Sequence, residues 1–343
     1  MKAKLKVIDG WEFEDIQLSR TTFKYSPTGG KEMVIRGEDE IVFSIYHSEK
    51  KQDGILWIKG KNVRFFPTPE AKEQQDIWKK PVLLSCDKGI LLLCGASNTL
   101  WLLQTQESEW LPISIEEWTL RGIPMKVAVT GINDSFPIVC RVDSMLEATN
   151  SFAILSVDFD KKTAHWTHNG SCIYNKEEIR QQHLDAVKKV NGNFALADYN
   201  YNYNYPLIGS IYEQNEKLYA FLESSTINPA GLSMMGYYSY VEISKDGLIK
   251  RKLWGKDNLN QLPGKHGVRG KFSAEQNYLI ISPIFKNDEW KGKPKLLRLS
   301  DCTLIDVVMP RGYTSFRILD IWGNKMFISD DQTKLNLCEI IFE

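Results

Sequence analysis

The chain has 343 residues, 43% of them hydrophobic and 25% charged, with 43 basic side chains matching 43 acidic ones. This composition suffices to bury a core, and it excludes a disordered chain and one that holds nucleic acid by bulk positive charge. The 10 Trp, 14 Tyr and 15 Phe favour strands, because aromatic rings fit a half-buried pleated surface.

The first predicted element is a solitary strand, Lys4-Leu5-Lys6-Val7-Ile8, with Trp11-Glu12-Phe13 beyond it. A first group of strands spans 17–69 and contains Ile41 to Tyr46, Gly54 to Ile58 and Asn62 to Phe66. A second, 78–113, is the most regular. Val82-Leu83-Leu84 turns at Asp87-Lys88-Gly89 into Ile90 to Cys94, then at Ala96-Ser97-Asn98 into Thr99 to Leu103, and Trp110-Leu111 closes it. Short apolar runs punctuated by turn residues at this spacing read as consecutive hairpins. A third group, 122–169, has strands at Met125 to Val129, Phe136 to Val142, Phe152 to Asp158 and Thr163 to Thr167.

A helix is predicted next, at about 175–191. Asn175 is a good N-cap with Glu178 three residues on, Ile179, His183, Ala186, Val187 and Val190 share one face, and Gly192 suits the stop. The fourth group, 194–254, has strands at Leu218 to Leu222, Tyr237 to Ile243 and Leu248 to Trp254, with 224–236 read as a long loop. The fifth, 266–310, has Tyr278 to Ile284, Lys295 to Leu299 and Thr303 to Met309. The sixth has Phe316 to Ile321, Lys325 to Ser329 and Leu335 to Phe342, and it ends one strand short. The solitary N-terminal strand would complete it and remove an exposed edge.

This rhythm resembles the β-propeller superfamily along almost the whole chain. The resemblance implies an all-β single domain, 1–343, of six blades, or seven if another lies within 19–41 or 193–205. The N-terminal strand would close the last blade, and the helix would be an insertion. No G-H…W-D or kelch signature assigns a family. Because propellers serve as enzymes and as binding platforms, the fold leaves the function open.

Chemistry-bearing motifs are sparse. Ser85-Cys86-Asp87-Lys88-Gly89 matches the first half of the Asp-box of sialidase-type propellers, but Leu91 and Leu92 stand where Thr and Trp belong. His165 and His168 lie three apart in a predicted strand, where they face opposite ways and make no metal pair. The six cysteines show no close pairing and read as free thiols acting as small hydrophobes. No cofactor, metal or catalytic residue is expected. The tract Asp198 to Pro206 alternates Tyr199, Tyr201, Tyr203 and Tyr205 with asparagines, placing four rings on one face of an extended chain. Tyrosine offers contact area at small entropic cost, so these rings, with Met234, Met235, Tyr237 and Tyr238, are the candidate binding residues. The competing reading is packing between sheets.

The leading functional expectation is a non-catalytic propeller that binds a protein partner, as a scaffold or inhibitor. One version is an immunity or antitoxin-like protein that masks a partner's active site. The alternative is a hydrolase acting on a sugar or lactone at the central channel, with or without a divalent metal. With no signal-peptide run and no stretch of bilayer-spanning length, a cytoplasmic location without membrane or nucleic-acid partners is expected.

Overall fold

The computed structural model describes residues 1–17, 33–69, 81–94, 99–116, 123–126, 134–144, 147–171, 207–227, 233–245, 249–256, 268–283, 294–308, 310–313, 316–329 and 334–343. Within them the chain is all-β. The described strands run as successive antiparallel meanders, two neighbouring pairs of which join edge to edge through short parallel pairings into eight-stranded sheets. The first is β3 (Met33–Gly37), β4 (Glu40–His47), β5 (Gln52–Lys59) and β6 (Asn62–Pro67), with the short β2 (Ile16–Gln17) also on β4. The second is β7 (Pro81–Cys86), β8 (Gly89–Cys94), β9 (Thr99–Leu103) and β10 (Leu111–Ile115). The third is β11 (Ile123–Lys126), β12 (Ser135–Ser144), β13 (Glu147–Asp158) and β14 (Thr163–Ser171). The fourth is β15 (Leu207–Gln214), β16 (Lys217–Ile227), β17 (Ser233–Ile243) and β18 (Ile249–Lys256). The fifth is β19 (Val268–Phe272), β20 (Tyr278–Pro283), β21 (Lys295–Arg298) and β22 (Thr303–Val308). The sixth is β23 (Arg317–Trp322), β24 (Lys325–Ser329), β25 (Lys334–Phe342) and, returning from the other end of the chain, β1 (Lys2–Glu12).

The sequence explains which strands are inner. Strands covered on both faces need apolar residues at every position rather than at alternate ones. In β7 and β8, Val82, Leu84, Leu91 and Leu93 pack toward the third meander, while Leu83, Ile90 and Leu92 pack toward the first. Successive side chains thus serve opposite seams, as the pleat requires. Each fully buried leucine or isoleucine stabilises the stack by about 1.5–3 kcal/mol. The outer β1 instead alternates lysines with Ala3 and Leu5 along its first half.

An apolar cluster fills each seam, including the one between the last meander and the first, where Phe327, Leu335 and Leu337 meet Ile35, Ile41 and Phe43. The meanders form a cycle: β23 lies on β3, β3 on β7, β7 on β11, β15 on both β12 and β19, and β20 on β23. At the rim, outer strands reach the last turn of the following meander. The Trp110 indole donates to the Pro67 carbonyl (2.9 Å), Ser114 N to Lys162 O (3.0 Å), and the Cys302 thiol to Leu253 O (3.7 Å). Lys61 pairs with Asp9 across the last seam. This is the arrangement of a β-propeller.

The N-terminal strand closes the sixth meander, as its solitary position in the sequence implied. It pairs antiparallel with β25 from Ala3↔Phe342 to Glu12↔Lys334, with a bulge between Val7 and Asp9. The termini are locked together: Lys2 N donates to Glu343 O and Glu343 N to Lys2 O, both at 2.9 Å.

Three expectations change. Residues 224–236 are not a long loop, because β16 and β17 pair from Leu218↔Ile243 to Ile227↔Ser233 and leave only 228–232 between them. The 19–41 stretch contributes β3, the first strand of the first meander. β15 and β19 are likewise first strands that the sequence reading passed over. The helix expected at 175–191 lies outside the described residues.

Candidate functional site

The meander order makes the two ends of the disc unlike. At one end no connection between strands exceeds eight residues: 38–39, 60–61, 87–88, 104–110, 127–134, 159–162, 215–216, 244–248, 273–277, 299–302 and 323–324. Gly89 is required in one of them. Its φ is +144°, and a Cβ there would lie 2.3 Å from the Leu103 carbonyl oxygen, so no side chain fits. At the other end short turns (48–51, 95–98, 145–146, 228–232 and 330–333) alternate with longer connections, of which 68–80, 172–206, 257–267 and 284–294 exceed ten residues.

Polar groups concentrate at three seams. Between the fifth and sixth meanders, Asp320 on β23 is almost fully buried (side chain 2% exposed) and Lys271 on β19 nearly so (20%). The Lys271 ammonium donates to Asp320 Oδ2 (2.7 Å) and to the Leu319 carbonyl (3.2 Å). Asp320 Oδ1 accepts from Ala274 N (3.1 Å) and Ile321 N (2.8 Å). The carboxylate is therefore charge-paired and supplied with three donors, which is what allows it to be buried.

Between the first and second meanders, Glu40 Oε1 accepts from the Trp57 indole (2.9 Å) and from Arg36 Nη1 (3.3 Å). Arg36 also reaches the Cys86 carbonyl (3.3 Å), and its guanidinium lies over the Trp57 ring at 5.4 Å. Nearby, the buried Gln106 donates to Trp57 O (3.0 Å) and accepts from Asn62 (2.8 Å).

Between the fourth and fifth meanders, the Tyr212 and Tyr240 hydroxyls meet at 2.7 Å in an aromatic nest with Tyr219 and Phe272. Burial pushes both phenols up, Tyr240 to about 12 and Tyr212 further.

Of the residues expected to bind, Tyr199, Tyr201, Tyr203 and Tyr205 lie outside the described residues. Met234, Met235, Tyr237 and Tyr238 sit at the start of β17, opposite β16, at the end from which the long connections leave. Cys86 and Cys338 are buried free thiols, and burial raises both, Cys338 to about 12. Among the described residues no His, Cys, Asp and Glu cluster has the makings of a metal site, and no helix is long and apolar enough to cross a membrane. The seam clusters at Asp320 and Glu40 were not singled out from the sequence. The signal for Asp320 was present, a lone acid inside the apolar run Ile318-Leu319-Asp320-Ile321.

No family model matches the chain, and no curated protein matches it. Among solved structures it is similar to a GH93 alpha-L-arabinofuranosidase of Fusarium graminearum complexed with arabinobiose. The identity is 12%, coverage is 95% of this chain and 93% of that one, and the TM-score is 0.47. It is also similar to a thermostable family-43 glycoside hydrolase (8%, 83% and 94%, TM-score 0.43) and to the polysaccharide lyase Uly1 (9%, 91% and 87%, TM-score 0.35). No site residue is carried over from any of them.

Proposed function

We propose that the chain is a closed six-bladed propeller that binds a protein partner across the long-connection end of its disc, as a scaffold or inhibitor. The unequal distribution of connections carries this reading. Connections of eight residues or fewer at one end leave less to vary, whereas the segments of more than ten residues held by the ring at the other end are where recognition residues are placed. The connection 172–206 begins and ends at that end and carries Tyr199, Tyr201, Tyr203 and Tyr205 in its sequence. The start of β17, with Met234, Met235, Tyr237 and Tyr238, belongs to the same end.

The test is affinity capture on the immobilised full chain, followed by paired substitutions. Expected is one stoichiometric protein, lost in Tyr201→Ala/Tyr203→Ala and retained in Lys88→Ala/Asp160→Ala at the tight-turn end. Equal loss in both pairs would overturn the placement. No captured protein together with release of reducing sugar from arabinan would overturn the binding reading in favour of hydrolysis at the channel, the sequence's alternative.

A further inference from the structure

The fifth and sixth blades are stitched together at their outer edges. β22 runs parallel to β1 from Lys2↔Asp306 to Lys4↔Val308, and β1 pairs on its other side with β25. One face of these three strands closes the seam between the two blades through Ala3, Ile305, Val307 and Ile340. The alternation of the pleat puts Lys2, Lys4, Lys6, Val308, Glu339 and Ile341 on the opposite face, which looks outward from the rim. At its centre Val308 and Ile341 flank Lys4 from either side, and they stay 37% and 44% exposed. Ion pairs frame them, Lys4 with Glu343 (2.7 Å) and Lys6 with Glu339 (3.8 Å), all four side chains exposed. The stitch itself does not require apolar residues here. The second and third blades are joined in the same way, and where Ile115 and Ala164 turn inward, Ser114 and Thr163 are paired on the outward face.

We propose that this outward face is where two copies of the chain associate, about a twofold axis that runs along the strands between β1 and β25. Exposed apolar residues bordered by charge are the anatomy of an association surface. The charge pattern selects the occupant. Lysines run down β1 and acids stand on β25 beside them, so the face is its own complement, whereas a partner of one sign would meet a column of like charge. The proposed axis lays the lysine column of each copy over the acid column of the other, Lys6 against Glu339, and sets Ile341 against the aliphatic stem of Lys4. Every ion keeps its partner within the chain and gains an opposite charge across the interface, so association strands no charge. This surface lies on the rim, apart from the long-connection end, and is independent of what that end binds.

Sedimentation velocity of the intact protein over a concentration series tests the interface. The wild type should form a reversible dimer. Lys6→Glu and Glu339→Lys, each alone, set like charges against each other across the axis and should weaken the dimer about tenfold or more. An equimolar mixture of the two single variants should associate again, because each then meets its opposite in the other copy. A disturbance confined to one chain would not be rescued by mixing. Ile341→Ser, which leaves every charge in place, should also weaken the dimer, and it covers the case in which a charge variant does not fold. A wild type that stays monomeric throughout the series would overturn the proposal. So would a dimer indifferent to all three substitutions, or a mixture that associates no better than its components.

Discussion

Two seams of the ring solve the same problem, a carboxylate placed among apolar strands, in different ways. At the fifth-to-sixth seam the pair itself crosses between blades: Lys271 and Ala274 belong to one, Asp320 to the next. At the first-to-second seam the pair Arg36–Glu40 stays within one blade, and of its bonds the one from Arg36 to the Cys86 carbonyl crosses. Exposure differs as well, with Asp320 at 2% against Glu40 at 14%. The first arrangement makes cohesion of the ring depend on charge. The second uses charge to orient a tryptophan and leaves cohesion to the uncharged bonds of Gln106 with Trp57 and Asn62 and to the packing of Trp57, Leu83, Ile90 and Leu92.

The largest expected effect follows directly. Asp320→Ala removes the partner of a mostly buried ammonium and strands two backbone donors, a loss of about 3–5 kcal/mol. Urea unfolding should show it as a lower midpoint at unchanged slope. Lys271→Met/Asp320→Asn should recover part of the loss, since no unpaired charge then remains buried. A cost for Asp320→Ala below that of Glu40→Ala would break the comparison.

Next comes a contact at the neighbouring fourth-to-fifth seam. A Cβ on Gly270 would lie 2.1 Å from Phe221 Cδ1 and 2.4 Å from its Cε1. Gly270→Ala therefore forces the ring of Phe221 to move, at about 1–3 kcal/mol. A second substitution, Phe221→Leu, should relieve part of it if ring crowding is the cause.

That glycine also shows what the sequence conveyed. Strands with four or more apolar residues in a row, such as Gln52–Lys59 and Gly89–Cys94, were legible, and so was the N-terminal strand, because it had no local partner. The strands passed over were β3, β15 and β19, all of them first strands. Val268-Arg269-Gly270-Lys271-Phe272 has two clearly apolar side chains in five. What makes it a buried strand comes from elsewhere: Phe221 fills the space above Gly270, and Asp320, 49 residues on, meets Lys271. A local window contains neither. The seam sites were opaque for the same reason, since each side chain is ordinary until the neighbouring blade is placed beside it. Residues 224–236 misled because small polar residues read as a loop, whereas pairing across β16 and β17 carries them into a hairpin.

The third prediction uses the tyrosines of the fourth-to-fifth seam, where cohesion is polar but uncharged. Tyr212→Phe alone leaves the buried Tyr240 hydroxyl without its partner and should cost about 1–3 kcal/mol, whereas Tyr212→Phe/Tyr240→Phe should cost less than the single change. The pair also sets a pH dependence. A phenol whose pKa is raised in the folded state holds its proton where the unfolded chain has lost it. Its contribution is therefore complete below about pH 10, the unfolded value, and declines as pH rises toward the folded value of about 12 for Tyr240. Melting temperatures between pH 9 and 11 should fall more steeply in the wild type than in the double variant. Parallel curves would show that these hydroxyls ionise as freely as exposed ones.

The smallest effect belongs to the seam that does not depend on charge. Arg36→Met keeps much of the aliphatic cover over Trp57 and removes the bonds to Glu40 and the Cys86 carbonyl. Glu40 is partly exposed, retains the Trp57 indole, and has Lys59 within 3.8 Å, so its charge is not stranded. A loss of about 1 kcal/mol or less is expected, as for partly solvated pairs. Added salt should reduce the difference between Arg36→Met and the wild type. It should leave the Asp320→Ala deficit nearly intact, because mobile ions screen partly exposed pairs and scarcely reach buried ones. Equal salt sensitivity at the two seams would mean that water reaches Asp320 as readily as Glu40, and that the ring is held by apolar packing at both.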